Sequence, residues 1–267
     1  MNHTSGIMWS LSHLGLALAG TGRYGEALTT FEEARRYGRE HEVYSFLARA
    51  IAMSAGFHLD VFDFSVNEAL VEEARELACL VNFAPSKVSA SIDLLLNLAR
   101  RHDCGRAEKV VTEAVQAAEA TGGWHLWLWR IRLAEAQAEF ALARGDWHEA
   151  IQKAEDAIQQ SRAKHRAKYE LLGLWTHARA LDNLGRRHEA IALLRSALEK
   201  ARPLGDPAMV LRLAEALLAI DGTEALAAEA GAAVHRIVAE LPDGPMRQCF
   251  EEAETVRSVR KLSRTQN

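Results

Sequence analysis

Gly185-Arg186-Arg187-His188-Glu189-Ala190-Ile191-Ala192-Leu193-Leu194-Arg195-Ser196-Ala197 opens on a glycine, crosses a short polar run and enters a segment whose apolar residues recur at helical spacing. Ala190, Ile191, Leu194, Ala197, Leu198 and Ala201 fall at i, i+1, i+4, i+7, i+8 and i+11, one stripe of an α-helix, while Arg195, Glu199 and Lys200 fall on its other face. The phrase recurs at Gly22-Arg23-Tyr24-Gly25-Glu26-Ala27, Gly105-Arg106-Ala107 and Gly145-Asp146-Trp147-His148-Glu149-Ala150. Seven residues after each of these alanines stands another: Ala34, Ala114, Ala157 and Ala197. With Ala74 in the same role, successive copies are 40, 40, 43 and 40 residues apart. Two alanines two turns apart leave a helix surface without bulk, so a neighbouring helix can approach closely. A helix pair with one apolar face cannot cover itself and must stack on its neighbours.

The composition agrees with helices. Of 267 residues, 49% are hydrophobic and 47 are alanine, against only 5 prolines. Pro85, Pro203, Pro207, Pro242 and Pro245 are expected at helix edges, where a residue without an N–H is tolerated. Lys+Arg 32 against Asp+Glu 36 leaves a net charge of -4, which offers no global attraction to nucleic acid or to an anionic membrane. Cys79, Cys104 and Cys249 lack CxxC spacing and are odd in number, so a reducing, cytoplasmic setting is expected. Residues 1–22 carry no Asp, Glu, Lys or Arg, and Ala17-Leu18-Ala19 imitates a signal-peptidase site. The basic start of a signal peptide is missing, however, and cleavage there would remove half of the first repeat.

These residues resemble the tetratricopeptide repeat. Leu14, Gly15, Leu18, Ala27, Phe31 and Ala34 match that family's seventh, eighth, eleventh, twentieth, twenty-fourth and twenty-seventh positions, and Ala178, Leu181, Ala190, Leu194 and Ala197 match five of these again. The resemblance covers about residues 8–204. Its period of 40 exceeds the family's usual 34 and is similar to the long repeats at the C-termini of bacterial signalling ATPases, maltose-type transcriptional activators and ATPase-linked nucleotide cyclases. The second copy departs from the pattern: Glu68-Ala69 precedes Ala74 by five residues, which leaves its register open and leads us to expect a bulge near Asp60 to Ser65.

The expected fold is all-α: an α-solenoid of about six helix-turn-helix pairs in a right-handed superhelix, closed by a C-terminal capping helix. The expected array spans 1–244, with repeats at about 8–41, 42–82, 85–121, 123–163, 165–204 and 207–241. Residues 245–267 form the capping helix and a basic tail; a single helix over 245–262 would bury Met246, Phe250, Ala253, Val256 and Val259.

Motifs for catalysis do not assemble. Gly20-Thr21-Gly22-Arg23-Tyr24-Gly25 satisfies GxGxxG, but a helix-period segment rather than a strand precedes it. His148-Glu149 and His188-Glu189 begin like zincin motifs, yet Gln152 and Ala192 stand where the second ligand belongs. His102-Asp103-Cys104 are consecutive, and adjacent side chains diverge. No enzyme, cofactor or metal site is expected. The basic runs Arg162 to Lys168 and Arg257 to Arg264 suit a helix end or an acidic partner.

Three of six tryptophans lie in Trp124-His125-Leu126-Trp127-Leu128-Trp129. Trp124, Trp127, Ile131 and Ala134 form one helical stripe, expected in the core. His125, Trp129, Arg132, Ala136 and Glu139 form another, expected to line a groove. The resemblance places the first helix of each pair on the concave wall. It implies a site built from His125, Trp129, Arg132, Glu135, Glu139, Leu172, Trp175, Arg179, Asp182, Arg49, Asp93 and Arg100, with Trp9, Ile92, Leu96 and Ala99 beside them. The function it implies is a non-catalytic scaffold that holds a protein segment or another domain of a larger bacterial signalling or transcription-regulatory protein. The alternative is a sensor for a small effector in the same groove. Neither nucleic acid nor membrane is an expected partner, and the oligomeric state is left open.

Overall fold

The computed structural model describes residues 3–123 and 125–264. Among them lie fourteen α-helices, one 3-10 turn and no strand: α1 His3–Gly20, α2 Tyr24–Glu40, α3 Tyr44–Asp60, α4 Phe64–Leu80, α5 Ala84–Arg100, α6 Cys104–Ala120, α7 Leu126–Ala143, α8 Trp147–Ala163, α9 Ala167–Asn183, α10 Arg187–Ala201, α11 Pro207–Ile220, α12 Glu224–Glu240, α13 Pro245–Glu252 and α14 Glu254–Arg264. Successive helices pack on one another as an all-α solenoid of helix pairs. No described helix is long and apolar enough to cross a membrane.

The 40-residue period divides into two twenties. Helices α2 to α6 each run 17 residues, and three-residue links join them. At these links and at those preceding α2, α8, α9 and α10, the middle residue is left-handed: Gly22, Glu42, Phe62, Asn82, His102, Gly145, His165 and Gly185, with φ from 51° to 84°. The third link residue then donates its N–H to the carbonyl five residues back at 2.8–3.0 Å, as Arg23 does to Leu18, Asp63 to His58 and Asp103 to Leu98. This closure satisfies a carbonyl that the helix end leaves bare. The same third residue opens the next helix: the carboxylates of Asp63, Asp103 and Asp146 accept from the N–H of Val66, Arg106 and Glu149.

The alanine stripe is buried throughout. Ala27, Ala34, Ala74, Ala107, Ala114, Ala150, Ala157, Ala190 and Ala197 are all 0% exposed. Close approach is also visible at Gly15, where a Cβ would stand 2.7 Å from the Phe31 ring. The second copy corrects the sequence reading. There is no bulge near Asp60 to Ser65; Val61, Phe62 and Asp63 form the same three-residue link as elsewhere. Seven residues before Ala74 stands Asn67, buried in the alanine's place. Its amide donates to the Ala55 carbonyl at 2.7 Å and its oxygen accepts from Asn97 at 2.7 Å. A polar side chain fits the stripe because α3 and α5 supply both partners.

The chain forms two compact units that divide between Trp129 and Arg130. In the first, α1 packs on α2 and α3, and α5 packs on α3, α4 and α6. Residues 88–99 of α5 are buried on every side. In the second, α9 packs on α8, α10 and α11, and α14 packs on α11 and α12. The expected single helix over 245–262 is instead two, α13 and α14, broken at Ala253, whose ψ of 144° is extended. The break lets Phe250, Val256 and Val259 all reach the interior, at 0%, 0% and 2% exposure.

Candidate partner-binding surfaces

In the first unit, the sixth residue of α3 is Arg49, half-buried, with its guanidinium 4.0 Å above the ring of Trp9 on α1. One turn along α1, His13 lies 4.4 Å from the same indole, and its Nδ1–H donates to the Trp9 carbonyl at 2.8 Å. His125, beside the start of α7, has its ring 6.3 Å from Trp129. Burial holds the His125 imidazole below its ordinary value, and the charges of Arg49 and His13 add to the effect. Arg49 is also held low, by burial alone. Among the described residues, the Arg49 Nε is buried without a hydrogen-bond partner. The nearest acid that the sequence reading assigns to this wall, Asp93 of α5, is 2% exposed and lies against Gly56, two turns along α3 from Arg49.

The second unit gathers a different set. On α9, Arg179 stacks on Trp175 at 4.5 Å; Arg212 of α11 stands 5.6 Å from the same ring. Trp175 is 8% exposed and Arg212 only 2%. Burial raises the Glu215 carboxyl of α11 above its ordinary value, against a hydrogen bond from Ser258 and the charge of Arg179, with Glu254 adding to the rise. Glu135 and Glu139 on α7 and Leu172 on α9 are buried as well, while Arg132 and Asp182 are half-buried.

The residues assigned from sequence belong to both units. Arg49 stacks on Trp9 in the first unit, and Arg179 and Arg212 stand over Trp175 in the second. Arg100 has its guanidinium 3.4 Å from the Leu59 carbonyl. Trp129, Ala136 and Glu139, expected to face a groove, are 8%, 0% and 4% exposed, while Ile92, Leu96 and Ala99 of α5 are at most 6% exposed. Helices that line the wall are covered along most of their length, which period alone does not reveal. Of the expected core stripe, Ile131 and Ala134 are buried and Trp127 is half-buried; Trp124 lies outside the described residues. Gly20 to Gly25 makes the first link, with Gly22 as its left-handed residue. In the basic run, Arg162 pairs with Glu170 at 3.0 Å, and Lys200 reaches the same carboxylate at 2.9 Å.

Sequence reasoning missed three functional or structural residues. Arg212 carried no motif and entered through tertiary packing. His58 and Asp63 form a buried pair at 3.1 Å across the second link, where the Asp63 cap was the available signal. On α1, which was read for its lack of charge and for Trp9 on the wall, Ile7, Trp9, Leu14 and Leu16 are 41%, 38%, 50% and 39% exposed. They are half of the large apolar side chains exposed among the described residues.

A tetratricopeptide repeat family model matches residues 178–208, which run from α9 through α10 to the start of α11. No curated protein matches the chain. The matched segment is built as the other helix-turn-helix units are, with the same link and the same buried alanines, and units of this kind make a non-catalytic scaffold for protein interaction. The chain carries a tetratricopeptide repeat at residues 178–208 within an all-α solenoid of similarly built helix pairs.

Proposed function

We propose that this chain is the interaction and regulatory region of a bacterial signal-transduction or transcription-regulatory protein, and that it receives a protein segment on the face presented by α1. The observation that carries the reading is the exposure of α1. Surface helices place charge toward water, whereas α1 carries no Asp, Glu, Lys or Arg and turns four large apolar side chains outward. Ile7 with Leu14 and Trp9 with Leu16 are each seven residues apart, so α1 turns out two exposed apolar stripes, and surface of this kind marks a protein-binding site. Helices of 17 residues on a 40-residue period support the signalling context, since the long repeats of bacterial signalling ATPases and activators are similar. The odd number of cysteines, Cys79, Cys104 and Cys249, and their lack of CxxC spacing support a reducing, cytoplasmic setting.

The experiment is selection of binders from a random peptide library on the full chain, followed by calorimetric titration against the parent and against Ile7→Arg with Leu14→Arg. Both side chains project outward, so helicity and melting should hold while affinity drops at least tenfold. Parent-like affinity in the double variant removes α1 from the site. The second reading, a small effector on the wall of the second unit, is favoured by Trp175 flanked by Arg179 and Arg212. A ligand there would change Trp175 fluorescence and raise the melting temperature, and Arg179→Gln would abolish both responses.

A further inference from the structure

We propose that the cleft between α4 and α6 in the first unit is a second docking site, and that its occupant is a protein segment carrying an apolar side chain beside basic residues. The cleft has a volume of about 990 Å³. Helices α4 and α6 form its walls, and the first half of α5 forms its floor. It shares no residue with the α1 face, so the two sites stand or fall separately.

The opening comes from one change between copies of the repeat. Leu47, the fourth residue of α3, is 3% exposed, and a Cβ on Gly38 of α2 would stand 3.1 Å from the leucine Cβ. A leucine thus closes the seam between one helix pair and the next. Forty residues on, the fourth residue of α5 is Lys87, and Ala78 stands in the place of Gly38. Burying an ammonium without a partner is costly. Lys87 is accordingly exposed and borders the cleft, and the place that a leucine fills in the preceding copy stays open. Leu80, the last residue of α4, lines the cleft with 82% exposure, and Ala117 and Ala120 of α6 add little bulk to the other wall. An apolar side chain from outside finds there the burial that Leu47 finds within the chain.

The charge of the walls selects the rest of the occupant. Arg75 reaches from α4 to Glu113 of α6 at 2.7 Å and also holds Glu72 at 3.2 Å. One guanidinium therefore serves two carboxylates. Glu76, beside Arg75 on α4, has no ion-pair partner among the described residues. The cleft thus sets three carboxylates against two cations, Arg75 and Lys87. Neither α4 nor α6 carries a basic residue in its last turn, so the negative ends of both helices add to the excess. A basic segment is complementary to such walls. From Glu72 to Leu80 the wall rises about 12 Å, the reach of about four extended residues.

The test uses the full chain and two fluorescein-labelled hexapeptides, Lys-Leu-Lys-Lys-Leu-Lys and Glu-Leu-Glu-Glu-Leu-Glu, titrated by anisotropy at physiological ionic strength. A second readout is alkylation by iodoacetamide, followed by mass spectrometry. Cys79 is exposed and lines the cleft, whereas Cys249 lies in the second unit and serves as the reference. The expected result is saturable binding of the basic peptide, with Cys79 alkylated severalfold more slowly and Cys249 unchanged. Lys87→Leu supplies the missing side chain from within, so it should melt higher and bind about tenfold more weakly. Lys87→Ala leaves the place open and should bind at least as tightly as the parent. Glu76→Lys, at an exposed position, should melt as the parent does and bind about tenfold more weakly. Unprotected Cys79 at saturating basic peptide, equal protection by the acidic peptide, or parent-like binding by Lys87→Leu or Glu76→Lys overturns the site. Equal losses in Lys87→Leu and Lys87→Ala overturn the leucine's place as its centre. Slower Cys79 alkylation at higher chain concentration, with no peptide present, makes a second copy the occupant and overturns the assignment to a basic segment. Ile7→Arg with Leu14→Arg leaves the cleft intact, so the basic peptide should protect Cys79 there as in the parent, whatever becomes of binding at α1.

Discussion

Arg49 and Arg212 occupy the same place, the sixth residue of α3 and of α11, and each has an indole beneath its guanidinium. In the first unit the indole is Trp9, 38% exposed, with the His13 ring 4.4 Å from it and burial holding the Arg49 guanidinium below its ordinary value. In the second it is Trp175, 8% exposed, with Arg212 itself 2% exposed and Glu215 on the same helix. One pairing of residue types therefore makes a half-open cationic patch in one place and a closed polar core in the other. What separates them is the depth of the indole and the acids around it.

The largest expected effect tests that separation directly. Arg212→Ala removes a buried cation from a wall that was folded around it, and should cost about 3 kcal/mol in urea unfolding. Arg49→Gln should change stability by less than about 0.5 kcal/mol, since it discards a charge that burial already disfavours. Equal losses at the two sites would collapse the distinction between patch and core.

Next in size are the contrasting fillings of the alanine stripe. Asn97→Leu leaves the Asn67 oxygen and the Phe64 carbonyl without their donor, and about 2 kcal/mol should be lost. Ala190→Leu in the second unit overpacks a fully buried position and should cost about 1–3 kcal/mol. Glu199→Leu, on the exposed face of the same helix, should be nearly neutral in thermal melting.

The two units should also respond oppositely to pH. His125 is held below 6.5, so the unfolded chain binds more protons there, and stability falls as pH drops through that region. Glu215 is held above 4.5, so the folded chain binds more protons, and its penalty grows as pH rises from that value. Glu215→Gln should accordingly melt higher than the parent at pH 7.5, with the difference closing toward pH 4.5. His125→Gln should lessen the loss below pH 6.5. A constant difference across the range for either variant would mean that its titration is not linked to folding.

The smallest effect lies in the links. Four of the five three-residue links in the first unit put a residue other than glycine in the left-handed position, whereas in the second Gly145 and Gly185 serve beside a single non-glycine, His165. His102→Gly should stabilise by about 0.5 kcal/mol, the relief of left-handed strain less the entropy glycine loses on folding. Gly185→Ala should cost about 1 kcal/mol. If His102→Gly lowers the melting temperature, the imidazole contributes more than its backbone strain costs.

Everything set by neighbours a few residues apart was readable in the sequence. Apolar spacing and paired alanines gave the helices, the 40-residue period and the stacking faces, because i, i+4 and i+7 relations exist within one helix whatever surrounds it. The lack of charge in residues 1–22 was equally plain. The register of the second copy was hidden by one substitution, Asn67 for alanine, which is intelligible only once Ala55 and Asn97 are seen to satisfy it. The site was less legible still. Arg49 and Trp9 are one repeat apart, so their meeting follows from the period, whereas Arg212 meets Trp175 from a helix that the sequence reading left out of the wall. Exposure was decided last and by tertiary structure alone: spacing assigns a residue to a helix face, whereas the helices stacked against that face determine whether it meets water, as Trp9 does and Trp175 does not.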